Sequence, residues 1–79
     1  MKWQDHIECH PNAVAGKPVI RGTRITVELI LQRLGDGWST DDLLAALPRL
    51  RPVAIEATQA YAAAALAGDE ILSLTDDAA

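Results

Sequence analysis

The hydrophobic period of this chain changes at Thr26, and this change constrains the fold more than any other feature of the sequence. After it, four apolar residues recur at i, i+3, i+4 and i+7, the spacing of one apolar helix face: Val27, Ile30, Leu31 and Leu34. The segment from Gly35 to Gly37 then stops the helix in the manner of a C-terminal glycine cap. We therefore expect extended segments before Thr26 and helices after it.

Two further helices are predicted. Ser39 is a strong N-cap candidate, because its hydroxyl can accept from an unpaired amide and acidic residues follow in the first turn. Pro48 ends this short helix, whose core-facing residues are Leu43, Leu44 and Leu47. Pro52 suits the first position of a third helix that runs to about residue 67. Its predicted buried stripe is Val53, Ala57, Ala60, Tyr61 and Ala64.

The residues before the first helix read as two short strands. Residues 7–10 form one extended candidate, which Pro11 and Asn12 break, and residues 19–21 form the second. Strands this short are not stable alone in water, so we expect them to lie on the helices or to pair with another subunit. Because a chain of 79 residues buries only a thin core, a homodimer with its contact in this β element is the default expectation.

The second and third helices, joined by about four residues, have the outline of a helix-turn-helix, and the first helix completes a trihelical core. The predicted fold class is therefore mainly α, with a short N-terminal β-hairpin element. The composition changes at Gly68, so residues 1–67 are assigned to the domain and residues 68–79 to an acidic C-terminal tail. The outline alone does not establish DNA binding, because many trihelical domains with this spacing never contact DNA.

Composition limits location and chemistry. The longest apolar runs, such as residues 62–67, are far shorter than the ~20 residues of a membrane helix, and no signal-peptide pattern follows Lys2. With a single cysteine, these features predict a cytoplasmic protein that does not enter a membrane. His6, Cys9 and His10 do not share one face of a strand, so no metal site is expected. Without a catalytic triad or P-loop spacing, we expect neither a cofactor nor enzymatic activity.

The acidic end is a candidate for binding a protein partner. The chain has a net charge of −4, and residues 52–79 contain five acids and no Lys or Arg. Such an end is either a solvated tail or a segment that docks on a basic partner. Its aliphatics either fold on a partner or extend the third helix back onto the same dimer. The candidate partner-binding residues are Asp69, Glu70, Ile71, Leu72 and Leu74.

A second set of residues is suited to nucleic acid. The candidates are Lys17, Arg21, Arg24, Arg49, Arg51, Thr58 and Gln59. If the arginines near the second strand point outward beside those of the helix-turn-helix, they neutralise several phosphates. The alternative is a salt bridge of Arg21 or Arg24, for example with Glu28. The third helix offers no Lys or Arg and the pI is near 4.8, which argues against strong DNA binding.

A long part of the sequence resembles domain-of-unknown-function family 433. The resemblance rests on GKPVIRGTRITV at residues 16–27 and GWSTDDLL at residues 37–44, with shorter matches at 47–50 and 60–62, and it covers about residues 5–66. It implies a homeodomain-like helix-turn-helix with a small β element, commonly dimeric. It also implies a VapB-type antitoxin, encoded beside a PIN-like ribonuclease toxin that it neutralises.

Arg51 departs from the family pattern. Relatives tend to carry Thr or Ser there, so the third helix is expected to lack a side-chain N-cap, at a cost on the order of 1 kcal/mol. Trp38 and Tyr61 are expected to pack in or near the core.

The expected function is that of an antitoxin-like module that neutralises a PIN-like ribonuclease toxin mainly through its C-terminal part. Double-stranded operator DNA is the second expected partner. The alternatives are a stand-alone helix-turn-helix regulator and a dimeric adapter that does not bind DNA. An adjacent gene for a small PIN-like nuclease would favour the first.

Overall fold

The computed structural model describes residues 1–12 and 14–68. Its elements, in chain order, are β1 (Ile7–Cys9), β2 (Pro18–Ile20), α1 (Val27–Gly35), α2 (Thr40–Ala46) and α3 (Pro52–Ala67). Short 3₁₀ turns lie at Trp3–Asp5 and Val14–Gly16. The predicted fold class, three helices preceded by a β-hairpin, is confirmed. The tail predicted from residue 68 lies, apart from Gly68, outside the described residues.

The hairpin is antiparallel, and its register pairs Ile7 with Ile20. On its other side β2 forms a bridge from Val19 to Thr26, and the Ile20 N–H donates to the Ile25 carbonyl over 2.8 Å. β2 therefore lies between β1 and the segment that enters α1. In the two-stranded sheet that the structure describes, β1 is an edge strand to which a strand of another subunit can add. The predicted dimer contact through this element stays a prediction.

Local side-chain chemistry sets where the helices begin. Thr26 caps α1 by accepting from the Leu29 N–H over 3.0 Å. Ser39 and Asp42 form a reciprocal capping box at α2, and the two bonds from Ser39 hold the pKa of Asp42 below its usual range. α3 begins at Pro52 without a side-chain cap from Arg51, as predicted. The ends of all three helices lie within one residue of where the sequence places them.

The core lies between the hairpin, α1, α2 and the first half of α3. The largest fully buried side chains are Ile30, Leu43, Val19 and Thr58. The predicted buried stripe of α3 is only partly right, because Ala64 is exposed and the residues that line the core are Ala54, Ile55, Ala57 and Thr58. α3 is apolar around most of its circumference, so its sequence period does not single out one face.

The two predicted packing aromatics differ in their surroundings. Tyr61 is half-buried and meets Trp3 edge to face, with ring centroids 5.0 Å apart. This contact fixes the N-terminal 3₁₀ turn against α3. Trp38 is 37% exposed and lies under the guanidinium of Arg33, 5.5 Å from the ring centroid. Tyr61 therefore packs against the core, as predicted, whereas Trp38 is not part of the core cluster and packs against Arg33.

Candidate nucleic-acid interface

The turn that follows β2 is held by charged side chains on both sides of Gly22. The Gly22 N–H donates to the Glu8 carboxylate over 3.1 Å, and its carbonyl accepts from the Arg49 guanidinium over 3.0 Å. Gly22 has a φ of +77°, and a Cβ there would meet no atom within 4 Å. The left-handed backbone, rather than lack of space, is therefore what favours glycine. We call this three-residue arrangement the Gly22 clamp.

Thr23 holds the same turn from within. Its hydroxyl donates to the Ile20 carbonyl over 2.8 Å and accepts from the Ile25 N–H over 3.0 Å. Together with the Gly22 clamp, these bonds fix the backbone between β2 and α1. The side chains of Arg21 and Arg24, on either side of the turn, are thus presented from a defined backbone.

The surroundings of the Glu8 carboxyl lower its pKa. Its carboxylate lies 2.9 Å from His10 Nε2, and this hydrogen bond, followed by the one from the Gly22 N–H, lowers the pKa of Glu8. The positive charge of Arg21 acts in the same direction. Glu8 therefore accepts from the turn as a charged group at neutral pH, and charge-assisted bonds of this kind are the stronger ones.

Four exposed arginines meet around the clamp, and we call them the arginine surface: Arg21, Arg24, Arg49 and Arg51. They border two neighbouring grooves. The larger groove, of about 810 Å³, is lined by Arg24 and Arg49 over a largely apolar floor. The smaller groove, of about 460 Å³, is lined by Arg21, Arg49 and Arg51 beside the first turn of α3. The structure therefore brings together four of the five cations that the sequence singles out.

Lys17 stands apart from this surface. Its ammonium pairs with Glu28 over 2.8 Å, and it lines neither groove. The salt bridge to Glu28 that the sequence left open for Arg21 or Arg24 is thus made by Lys17. Arg21 instead donates to the Gln4 carbonyl over 3.3 Å. Within residues 1–12 and 14–68, the side chains of Arg24 and Arg51 make no hydrogen bond or ion pair.

The two candidate base-reading residues on α3, Thr58 and Gln59, differ in exposure. Thr58 has 0% exposure, and its hydroxyl donates to the Ala54 carbonyl over 2.9 Å. The prediction that Thr58 faces nucleic acid is therefore wrong, because its side chain points into the core and its donor is satisfied there. Gln59 is exposed on the outer face of α3, together with the acidic Glu56.

Sequence reasoning missed Glu8 and Gly22. No local pattern marks Glu8, because its role depends on a hairpin partner brought close only by the strand pairing. Among the described residues, no group of three His, Cys, Asp or Glu side chains is arranged to hold a metal ion. The exposed Cys9 is a free thiol, and His10 is engaged with Glu8.

A second surface lies at the far end of α3. Residues 63–67 are exposed, and Leu66 retains 54% of its accessible surface. We call residues 62–67 the apolar end of α3. The candidate partner-binding residues Asp69, Glu70, Ile71, Leu72 and Leu74 follow it in sequence but lie outside the described residues.

Fold and surfaces together define a small trihelical domain with an N-terminal β-hairpin, whose arginine surface and apolar helix end lie at opposite ends of α3. The chain belongs to the family described as "Protein of unknown function (DUF433)", whose model matches residues 7–62. The match spans the whole Gly22 clamp and ends within α3. No curated protein and no solved structure matches the chain. In the part of the chain that the structure describes, no helix combines the length and apolarity needed to cross a membrane.

Proposed function

We propose that this chain is an antitoxin-like binding module of a type II toxin-antitoxin system, acting in the cytoplasm as a homodimer. In this proposal it neutralises a PIN-like ribonuclease through the apolar end of α3 and the residues that follow. The observation that carries the proposal is that the apolar end of α3 is exposed. The choice of a ribonuclease toxin as the partner rests on the family resemblance. The exposed apolar end of α3 is the physical reason to expect a protein partner.

The apolar end of α3 has the character of an unpartnered docking helix. From Ala57 to Ala67 the helix contains no charged residue, and a helix that is apolar all round is normally buried. The first half of α3 meets this expectation by packing against α1, α2 and the hairpin. The second half is exposed. Burying Leu66 on a partner would contribute roughly 1.5–3 kcal/mol.

The residues after the helix extend this surface in sequence. Ile71, Leu72 and Leu74 are aliphatic, and each would add a similar amount on burial, before the cost of ordering the segment is subtracted. Contacts of this size are enough to decide affinity.

The test is a calorimetric titration, with the full chain, of the PIN-like nuclease that this proposal requires in the neighbouring gene. We expect saturable binding by the native chain and at least tenfold weaker binding by Leu66→Gln, which keeps helix propensity but removes the apolar group. Gln59→Ala, an exposed change in the first half of the same helix, is the matched control and should bind like the native chain. The absence of binding, or equal binding by both variants, would reject the proposed role of the apolar end.

The arginine surface favours a second function, the binding of double-stranded operator DNA. Three of its guanidinium groups, those of Arg21, Arg49 and Arg51, line the groove beside the start of α3, the helix that would enter a groove of DNA in a helix-turn-helix. Contacts of this kind to phosphates supply affinity without sequence preference. α3 itself exposes Glu56 and Gln59 there, so base reading has little support from its side chains.

A further inference from the structure

We infer that the arginine surface is a docking surface for the acidic segment of the same chain, residues 69–79. This segment carries four acids, Asp69, Glu70, Asp76 and Asp77, and no Lys or Arg. The arginine surface carries four exposed guanidinium groups. The formal charges of the acidic segment and of the arginine surface are therefore equal in magnitude and opposite in sign. The three other basic residues of the chain are not part of this surface.

The smaller groove is the part of the arginine surface best suited to bind the acidic segment. Arg21, Arg49 and Arg51 line it, and Asp5 is its one acidic lining residue among those described. Arg51 makes no hydrogen bond within the described part of the chain, so its donors are available. Arg49 uses one N–H on Gly22, which leaves further donors of its guanidinium for a carboxylate.

The reach of the chain decides which acids can dock. α3 has 16 residues and is about 24 Å long, and the smaller groove lies at its N-terminal end. Asp76 is nine positions after Ala67, and a chain of this length spans about 30 Å when extended. Asp69 and Glu70 reach only about 11 Å from Ala67. Asp76 and Asp77 are therefore the acids whose distance in sequence from Ala67 is long enough to reach the groove.

Docking of this segment competes with phosphates for the same guanidinium groups. The inference needs neither the nuclease nor DNA, so it stands or falls separately from the proposed function. It is tested on the full chain alone.

The experiment places a nitroxide spin label at position 78 and observes backbone amides by nuclear magnetic resonance. Ala78→Cys provides the attachment point, and Cys9→Ser removes the exposed thiol that would otherwise also be labelled. At about 0.01 M salt, where the Debye length is about 30 Å, we expect loss of signal intensity at the amides of Gly22, Arg49 and Ala54. At about 1 M salt the intensity should return.

Two charge variants separate a specific contact from net charge. In the labelled chain, Asp76→Asn with Asp77→Asn should restore the intensity at the groove. Asp36→Asn with Asp41→Asn changes the net charge equally, at the C-terminal end of α1 and the N-terminal end of α2, and should leave the loss in place. Unchanged amide shifts in the core establish that each variant is folded.

The inference is overturned if the signal loss is confined to amides near Ala67, or if it is the same in both charge variants. A sample that mixes isotope-labelled chain without nitroxide and nitroxide-labelled chain without isotope detects docking between copies. Signal loss at the groove that is as strong in this mixture would assign the segment to a second copy and would contradict docking in the same chain.

Discussion

The guanidinium of Arg49 donates to the carbonyl oxygen of Gly22 over 3.0 Å, which ties the loop before α3 to the turn before α1. The Glu8 carboxylate holds the N–H of the same glycine. Arg49 is thus both a structural residue and a member of the arginine surface. Its remaining N–H donors can face an anion while one keeps the turn in place.

Replacing Arg49 should therefore affect stability, whereas replacing Arg51 should not. Arg49→Ala removes the donor to Gly22 and should lower the free energy of unfolding by about 0.5–1.5 kcal/mol. Arg51→Ala is the matched control, since Arg51 makes no cap bond, and should change stability by less than about 0.5 kcal/mol. Urea unfolding followed by circular dichroism measures both. Equal losses in the two variants would show that the bond to Gly22 contributes nothing specific.

Gly22 should resist substitution because of its backbone conformation. Gly22→Ala places a Cβ at a φ of +77° and should cost about 1–2 kcal/mol, although nothing crowds the site. Gly35→Ala, at a helical position with equal space, should be neutral or stabilise by up to about 1 kcal/mol. Urea unfolding of the two variants distinguishes strain from loss of contacts. A Gly22→Ala protein as stable as Gly35→Ala would contradict the account of the turn.

Glu8 should make stability depend on pH in the acid range. Because its pKa is lowered in the folded state, the carboxylate contributes stability above its unfolded pKa of about 4.3 and loses it as pH falls through the folded value. Glu8→Gln should remove this part of the acid loss, so its curve of unfolding free energy against pH should be flatter below about pH 4.3. Glu56→Gln, on the exposed face of α3, should leave the slope unchanged. A slope identical to that of the native chain in Glu8→Gln would refute the charged clamp.

The arginine surface should bind duplex DNA through phosphates, without sequence preference. Arg21→Ala and Arg51→Ala should each weaken binding to several unrelated duplexes by a similar factor and reduce the slope of log K against log salt by about 1. Lys17→Ala is the control, since Lys17 is paired with Glu28 away from both grooves. Fluorescence anisotropy over a salt series gives both quantities. If the slope of log K against log salt is the same after the arginine substitutions, Arg21 and Arg51 do not contact phosphates.

The parts of the fold that local chemistry decides could be predicted from the sequence. Ser39 and Pro52 mark helix starts because a cap hydroxyl and a first-turn proline act on neighbouring residues. The buried face of α3 could not be predicted, because the helix offers apolar residues on every side. Thr58 is an example. A polar residue is expected on the surface, but the Thr58 hydroxyl donates to the Ala54 carbonyl, and this bond allows the side chain to lie in the core.

The site depends on contacts that are distant in sequence. The sequence could not establish whether Arg21 and Arg24 lie near Arg49 and Arg51. The turn that carries the first pair and the loop that carries the second meet only in the folded chain. The sequence likewise could not identify the salt-bridge partner of Glu28. Arg21 or Arg24 was considered, but the folded chain brings Lys17 to Glu28 instead.

The most direct measurement of the proposed function is the rate of RNA cleavage by the PIN-like nuclease that the proposal requires in the neighbouring gene, as the full chain is titrated into it. We expect cleavage to fall to background once the chain saturates the nuclease. Leu66→Gln should require at least tenfold more protein for the same inhibition, and Gln59→Ala should match the native chain. Cleavage that continues at the same rate with saturating native chain would contradict the proposed neutralisation of a ribonuclease.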